Sequence, residues 1–87
     1  MLMKEAKITG KMGLHARPAT FFIQKANEFE CSIWLEKEDR RVNAKSLLGV
    51  LSLAVGQDET IKIISDGSDE TDAVATLLEL INSNFAE

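Results

Sequence analysis

Residues 13–20 read Gly13-Leu14-His15-Ala16-Arg17-Pro18-Ala19-Thr20, and this stretch predicts the start of a helix. Pro18 would fall in the first turn, where its missing N–H breaks no helical hydrogen bond. Gly13 lets the backbone turn tightly just ahead of His15, the only histidine of the chain. The stretch therefore predicts that His15 stands at the N-terminal end of a helix.

The sequence on either side of this stretch predicts an α+β domain with the element order βαββαβα. Apolar spacing indicates helices over 16–27, 47–53 and from Ser68 or Asp69 to about 84. Alternation and turn residues indicate strands over 2–8, 31–35, 40–43 and 60–65, with a charged hairpin turn at 36–39. One sheet with its helices on one face is the economical arrangement. The chain has 87 residues and no repeat or linker, so we expect a single domain over residues 1–87.

The helical spacing also predicts which side chains are buried. The first helix is expected to bury Ala16, Ala19, Phe22, Ile23 and Ala26, and the last is expected to bury Val74, Leu78, Ile81 and Phe85.

Composition excludes several classes of function. The net charge of -4 argues against nucleic acid or an anionic membrane as the main partner. No stretch approaches the roughly 20 apolar residues of a membrane span, and residues 1–5 lack the apolar core of a signal peptide, so we expect a cytoplasmic protein. Cys31 is the only cysteine, and we interpret it as a buried strand residue rather than a redox thiol. With one histidine and no ligand spacing, we expect no metal and no cofactor.

His15 suits phosphoryl chemistry. The first N–H groups of a helix have no internal partner and, with the helix dipole, form an anion site. A phosphate on the His15 ring could lie over the N–H groups of Ala16 and Arg17, and the Arg17 guanidinium can bind phosphate oxygens bidentately. Alternatives are a plain polar cap, a metal ligand or part of a hydrolytic triad, although the chain lacks a recognisable nucleophile elbow.

Residues 13–20 resemble the active-site signature of the HPr family, the histidine-containing phosphocarriers of the sugar phosphotransferase system. Residues 42–53, Val42-Asn43-Ala44-Lys45-Ser46-Leu47-Leu48-Gly49-Val50-Leu51-Ser52-Leu53, resemble that family's regulatory serine region. The resemblance implies an open-faced β-sandwich, with a four-stranded antiparallel sheet and three helices on one side. It also implies a phosphoryl carrier rather than an enzyme, with the phosphate on Nδ1 of His15 and Arg17 as its partner.

The resemblance further implies partners and regulation. Enzyme I would phosphorylate His15 from phosphoenolpyruvate, and sugar-specific IIA domains would receive the group. Phosphorylation of Ser46 by HPr kinase/phosphorylase would promote binding to catabolite control protein A. Ala44 is as similar to the Crh branch of the family as to the carriers, so a Crh-like module acting mainly through phospho-Ser46 is the alternative; His15 favours a carrier. Met12 stands where similar proteins often have a small hydroxyl residue.

Residues 46–55 predict a capped helix beside an exposed apolar patch. Ser46 is the natural N-cap of the run that follows it, and a serine here is often nothing more. The run holds more apolar residues than one short helix can bury, so part of it is expected to face solvent. The predicted docking residues are Leu47, Leu48 and Leu51, with Thr20, Gln24 and Lys45 as a polar rim.

Overall fold

The computed structural model describes residues 1–85 and confirms the predicted order βαββαβα. The elements are β1 (Leu2–Lys7), α1 (Ala16–Ala26), β2 (Ser32–Lys37), β3 (Arg40–Asn43), α2 (Leu47–Ser52), β4 (Thr60–Asp66) and α3 (Glu70–Asn82). The strands form one antiparallel sheet in the order β1-β4-β2-β3. The α+β open-faced sandwich is therefore confirmed.

The hairpin between β2 and β3 is tighter than predicted. Glu36 pairs with Arg41 across the two strands, and the Arg41 Nε donates to the Glu36 carboxylate at 3.1 Å. Opposite charges facing each other across an antiparallel pair stabilise the ladder. Residues 36 and 37 are therefore strand, and the turn contracts to Glu38 and Asp39.

One hydrophobic core joins the sheet to the helices. The helix-facing side of the sheet supplies Ile33, Leu35, Ile61 and Ile63, all at most 2% exposed. The helices add Ala19, Phe22 and Ala26 from α1, Val50 from α2, and Ala73, Val74, Leu77 and Ile81 from α3. Within residues 1–85, no helix is long and apolar enough to cross a membrane.

Three predicted core positions need correction. Ala16 is exposed because it opens α1, where the first turn projects beyond the core. Ile23 and Leu78 are only half-buried, at the edges of their apolar stripes. In α3 the stripe runs through Leu77 instead, which is fully buried.

The chain after α3 bends back towards the core. Asn84 and Phe85 have φ values of 58° and 62°, in the left-handed region. The Phe85 N–H donates to the Leu80 carbonyl at 2.8 Å, which closes the turn. Phe85 is 7% exposed, as its predicted burial requires, although the helix itself ends at Asn82 rather than near 84.

Candidate functional site

The loop before α1 is fixed against the segment that follows α2. Leu14 is fully buried, and its N–H donates to the Val55 carbonyl oxygen at 2.9 Å. Gly13 has a φ of 58°, and a Cβ at this position would overlap the Val55 carbonyl and lie 2.8 Å from the Gly56 Cα. Only glycine fits both the conformation and the close approach. The backbone therefore reaches His15 along a fixed path.

His15 occupies the predicted N-cap position of α1, but its side chain does not cap the helix. Its backbone is extended, with φ -120° and ψ 159°, and its exposed imidazole makes no capping hydrogen bond. A helix leaves its first N–H groups without internal partners, and Pro18 contributes none. The donors at this end are thus the N–H groups of His15, Ala16 and Arg17. An imidazole and an anion-binding helix end lie side by side here.

Ala16 joins the extended cap to the helix in a left-handed conformation. Its φ is 52°, which is uncommon for a residue other than glycine. Such a conformation is about 1–2 kcal/mol less favourable for an L-residue. Backbone strain is therefore stored between the two predicted site residues, His15 and Arg17.

Arg17 lies beside an aromatic ring, and no ion pair joins it to another of residues 1–85. Its guanidinium carbon is 5.5 Å from the centroid of the Phe21 ring, one turn later in α1. The same exposed side chain lines a cleft of about 360 Å³ together with Lys11, Met12 and Phe85, among other residues. The described residues that line this cleft include two cations and no carboxylate. The side of the helix end where Arg17 lies is therefore electropositive.

Met12 also lines this cleft. Its side chain is 55% exposed. A thioether is at best a weak hydrogen-bond acceptor and cannot donate. Any anion at the helix end consequently depends on the backbone N–H groups and on the nearby cations.

Ser46 is the N-cap of α2, as predicted. Its Oγ accepts a hydrogen bond from the Gly49 N–H at 3.1 Å, and its backbone is extended. The Ser46 N–H donates to the Asn43 carbonyl at 3.1 Å, and the Val50 N–H donates to the Ser46 carbonyl at 2.9 Å. The hydroxyl is half-buried and takes part in the cap, which supports the structural reading of this serine.

The predicted docking residues fall into exposed and anchored groups. Leu48 is 81% exposed and Leu47 44% exposed, whereas Leu51 is half-buried against the core. Thr20 and Gln24 are exposed on α1, which packs against α2. Leu47 and Leu48 therefore form the exposed apolar part of the candidate surface on α2, whereas Gln24 on α1 lines a groove beside α3.

Lys45 differs from the other candidates because its amine is held by the protein. Its Nζ donates to the Phe29 carbonyl at 2.6 Å, and its own carbonyl accepts from the Asn27 Nδ2 at 3.3 Å. These bonds tie the start of α2 to the end of α1. The structure therefore gives Lys45 a bridging position between the two helices.

Two cations that the sequence analysis did not single out hold the other end of α2. The Lys37 Nζ donates to the Leu53 and Ala54 carbonyls at 3.4 and 3.0 Å. Arg40 donates to the Ser52 carbonyl at 2.7 Å. Cations suit the negative end of a helix. The sequence indicates only that both cations belong to a charged hairpin. That this hairpin lies at the C-terminal end of α2 is visible only in the folded structure.

Glu59 links Lys37 to the segment that supports the His15 loop. Its carboxylate accepts from the Gly56 N–H at 2.6 Å and pairs with the Lys37 Nζ at 2.9 Å. The hydrogen bond from Gly56, then the one from Lys37, lower the pKa of the Glu59 carboxyl. Since Val55 precedes Gly56 and accepts from Leu14, this ion pair braces the backbone on which the loop rests.

Cys31 is buried, as predicted, although it lies just before the strand rather than in it, since β2 begins at Ser32. Burial, and secondarily the carboxylate of Asp69, raises the pKa of its thiol to about 11. A thiol in this state is a poor nucleophile. Asp69 accepts the backbone N–H groups of Glu30 and Cys31, both at 2.9 Å, instead of capping α3 with its side chain. Among residues 1–85, no group of three His, Cys, Asp or Glu side chains could hold a metal ion.

Comparison with known proteins identifies relatives over nearly the whole chain. The family model described as the PTS HPr component phosphorylation site matches residues 2–83. The HPr-like protein Crh of Halalkalibacterium halodurans is 44% identical, over 93% of this chain and 96% of that protein. The phosphocarrier protein HPr of Neisseria meningitidis serogroup A is 41% identical, over 100% of this chain and 98% of that protein. The crystal structure of HPr-C-His from Thermoanaerobacter tengcongensis superposes with a TM-score of 0.98 at 45% identity, covering 100% and 98% of the two chains.

Proposed function

The chain belongs to the HPr family, and on this premise we propose that it accepts a phosphoryl group on Nδ1 of His15 and passes it to another protein. Family membership makes it a phosphocarrier of the phosphotransferase system and not a catalyst in its own right. One observation carries the choice of residue: His15 is exposed at the open N-terminal end of α1 and does not use its ring to cap the helix.

The local geometry supports each part of the transfer. The imidazole nitrogen supplies the lone pair that forms the N–P bond, while the bond from phosphorus to the donor breaks. The N–H groups of Ala16 and Arg17 can donate hydrogen bonds to the phosphoryl oxygens, and the Arg17 guanidinium can bind the same oxygens as a fork. Phosphoryl transfer needs mainly positioning and charge stabilisation, so these groups suffice on the carrier side.

The proposed partners follow from the family. Enzyme I, charged by phosphoenolpyruvate, is the donor, and sugar-specific IIA domains are the acceptors. Because these partners act inside the cell, the proposal includes a cytoplasmic location. The exposed Leu47 and Leu48 on α2 offer a small apolar surface, and Thr20 and Gln24 on α1 are the proposed polar contacts. Such a surface suits brief contacts with successive partners. We further propose that the described elements, which share one core, form a single HPr-type domain spanning the chain.

Regulation through Ser46 is the second part of the proposal. Ser46 directly precedes the exposed residues Leu47 and Leu48 at the start of α2, so a phosphate there would add charge at the edge of the candidate docking surface. HPr kinase/phosphorylase would be the modifying enzyme, and catabolite control protein A would be the partner of the modified form. The similarity to a Crh protein supports a second candidate function, that of a regulatory module acting mainly through phospho-Ser46.

Incubation of the protein with Enzyme I and phosphoenolpyruvate separates the two candidates. A carrier gains one phosphoryl group by mass, the group is lost in acid, and peptide mapping places it on His15. A Crh-like module gains none under these conditions, but gains an acid-stable phosphate on Ser46 with ATP and HPr kinase/phosphorylase. Failure of acid-labile labelling with an Enzyme I that phosphorylates a known HPr would overturn the carrier assignment.

A further inference from the structure

Phe21 links the core of the domain to the cationic side of the His15 site. Its ring is half-buried and packs against the core, and Arg17 lies over it with 5.5 Å between the guanidinium carbon and the ring centroid. The two residues are four apart in α1, the spacing at which side chains on one helix face meet. Among residues 1–85, no hydrogen bond or ion pair holds the Arg17 guanidinium. The cation–π contact with Phe21 is therefore the interaction that orients it.

We propose that Phe21 is a positioning residue for phosphoryl transfer, whose ring holds the Arg17 guanidinium ready to bind the phosphoryl group on His15. The inference rests on the proposed carrier function and adds to it a residue outside the His15 loop. Arg17 stays the group that touches the phosphoryl oxygens; Phe21 acts only through Arg17.

A cation–π contact suits this role because it holds the cation without using its hydrogen-bond donors. The guanidinium carbon lies over the Phe21 ring, whose face attracts a cation, and this attraction occupies none of the five N–H donors that bind phosphate. Arginine carries about 2 kcal/mol of rotamer entropy, part of which must be lost when it binds phosphate. A ring that already restricts the side chain reduces what is lost on binding. Because the core holds the Phe21 ring in place, the ring in turn limits the rotamers of Arg17 at the His15 site.

The test compares two substitutions at position 21. Phe21→Leu keeps an apolar side chain on the core but removes the ring, whereas Phe21→Tyr keeps the ring. The transfer rate from phosphorylated Enzyme I is measured for both, with kcat and KM determined separately for the carrier as substrate. An exposed cation–π contact corresponds to about two- to five-fold, so Phe21→Leu should lower kcat by about that factor. Phe21→Tyr should restore it, and melting temperatures should confirm that both variants are folded.

Two further measurements separate positioning of Arg17 from a purely structural or docking role. In the unphosphorylated protein, NMR signals of the Arg17 side chain should move downfield in Phe21→Leu but not in Phe21→Tyr, because the ring current is lost. In an Arg17→Gln background, Phe21→Leu should have no further effect on kcat. An equal effect in both backgrounds, a change confined to KM, or a Phe21→Leu carrier that transfers at the unaltered rate would each overturn the inference. If the unaltered protein is not phosphorylated on His15 at all, it is the carrier function that has failed.

Discussion

The N-terminal ends of α1 and α2 have the same cap backbone conformation but differ in whether the cap side chain bonds to the helix. Both cap residues have extended backbones, with φ -120° at His15 and -107° at Ser46. The Ser46 hydroxyl turns in and accepts the Gly49 N–H, whereas the His15 ring makes no capping bond and is followed by a left-handed alanine. One helix end is closed by its own side chain and the other is left open. A closed end stabilises the helix, and an open end keeps its donors for a ligand.

Helix length explains why the open end falls on α1. With six residues, α2 is too short to hold its shape without help, and it is fixed by Ser46 at one end and by Lys37 and Arg40 at the other. With eleven residues, α1 is anchored by a buried face that includes Phe22 and Ala26. The longer helix can leave its first turn uncapped and strained because its packing does not depend on that turn.

Replacing each cap residue by alanine gives the largest contrast. His15→Ala should abolish phosphorylation by Enzyme I while changing the free energy of unfolding by less than about 0.5 kcal/mol, because the ring is exposed and makes no cap. Ser46→Ala should do the reverse, with about 1 kcal/mol of stability lost and His15 phosphorylation retained. Urea unfolding and acid-labile labelling of both variants measure the contrast. Retained labelling in His15→Ala, or a collapse of its stability, would contradict the open-end interpretation.

Phosphorylation of Ser46 should inhibit the phosphorylation of His15 by Enzyme I without changing the fold of the domain. A dianion at a helix N-terminus is compatible with the dipole, so the fold should be unchanged or stabilised by about 0.3–1 kcal/mol. The same charge beside Leu47 and Leu48 must be desolvated when Enzyme I covers that surface, so association should weaken more than folding. Ser46→Asp should act in the same direction but less strongly, since a carboxylate carries less charge.

A paired measurement on the Ser46-phosphorylated protein checks this prediction. Amide NMR shifts should change only near α2, while the rate of His15 phosphorylation by Enzyme I should fall about ten-fold or more, equivalent to about 1.4 kcal/mol of binding or activation free energy. Shift changes that spread through the sheet would reject a local electrostatic effect. An undiminished rate would leave Ser46 as a structural cap alone.

The sequence predicted the elements well because its signals are local. Pro18, Gly13 and the Ser46 cap specify helix starts through backbone geometry that neighbouring residues determine, and the structure confirms those starts. The cation–π contact of Arg17 with Phe21 and the Glu59–Lys37 pair were not predicted. The first depends on which rotamer Arg17 adopts, and the second joins residues 22 positions apart that meet only after the sheet forms. The helix start already indicated phosphoryl chemistry for His15 and Arg17, whereas the choice of Nδ1 and the regulatory role of Ser46 came from resemblance to a family.

Acid should weaken the Glu59–Lys37 ion pair and the Glu59–Gly56 hydrogen bond, which support the backbone under the His15 loop. The pKa of Glu59 is lowered in the folded protein from its ordinary value of 4.5, so unfolding in acid takes up a proton, and the stability that this group contributes is fully present above that value. It is lost as the pH falls through the lower, folded value. Glu59→Gln should therefore reduce stability at pH 7 and flatten the loss of stability between pH 5 and pH 2, measured by urea unfolding at each pH.

Asp69 provides the matched control for that experiment. Its pKa is also lowered, first by the hydrogen bond from the Glu30 N–H and then by Cys31, so Asp69→Asn should flatten the acid limb in the same direction. Asp69 holds the start of β2, however, and not the His15 loop. Amide exchange at Leu14 should accelerate in Glu59→Gln and stay unchanged in Asp69→Asn. Equal acceleration in both variants would show that Glu59 contributes general stability rather than support for the loop.

The smallest expected effect concerns the strain at Ala16, and its sign is what tests the contrast between the two helix ends. Glycine adopts the left-handed conformation at φ 52° without the penalty that alanine carries, but it also makes the unfolded chain more flexible. Relief of about 1–2 kcal/mol against an entropic loss of about 0.4–1 kcal/mol leaves Ala16→Gly more stable by about 0–1.6 kcal/mol. The same substitution at Ala75, exposed within α3, should instead destabilise by about 0.5–1 kcal/mol, because a helical residue gains nothing from the change. Urea unfolding of the two variants measures both signs. If Ala16→Gly destabilises the protein as Ala75→Gly does, then position 16 is an ordinary helical residue, and the open end of α1 is not built on a strained backbone.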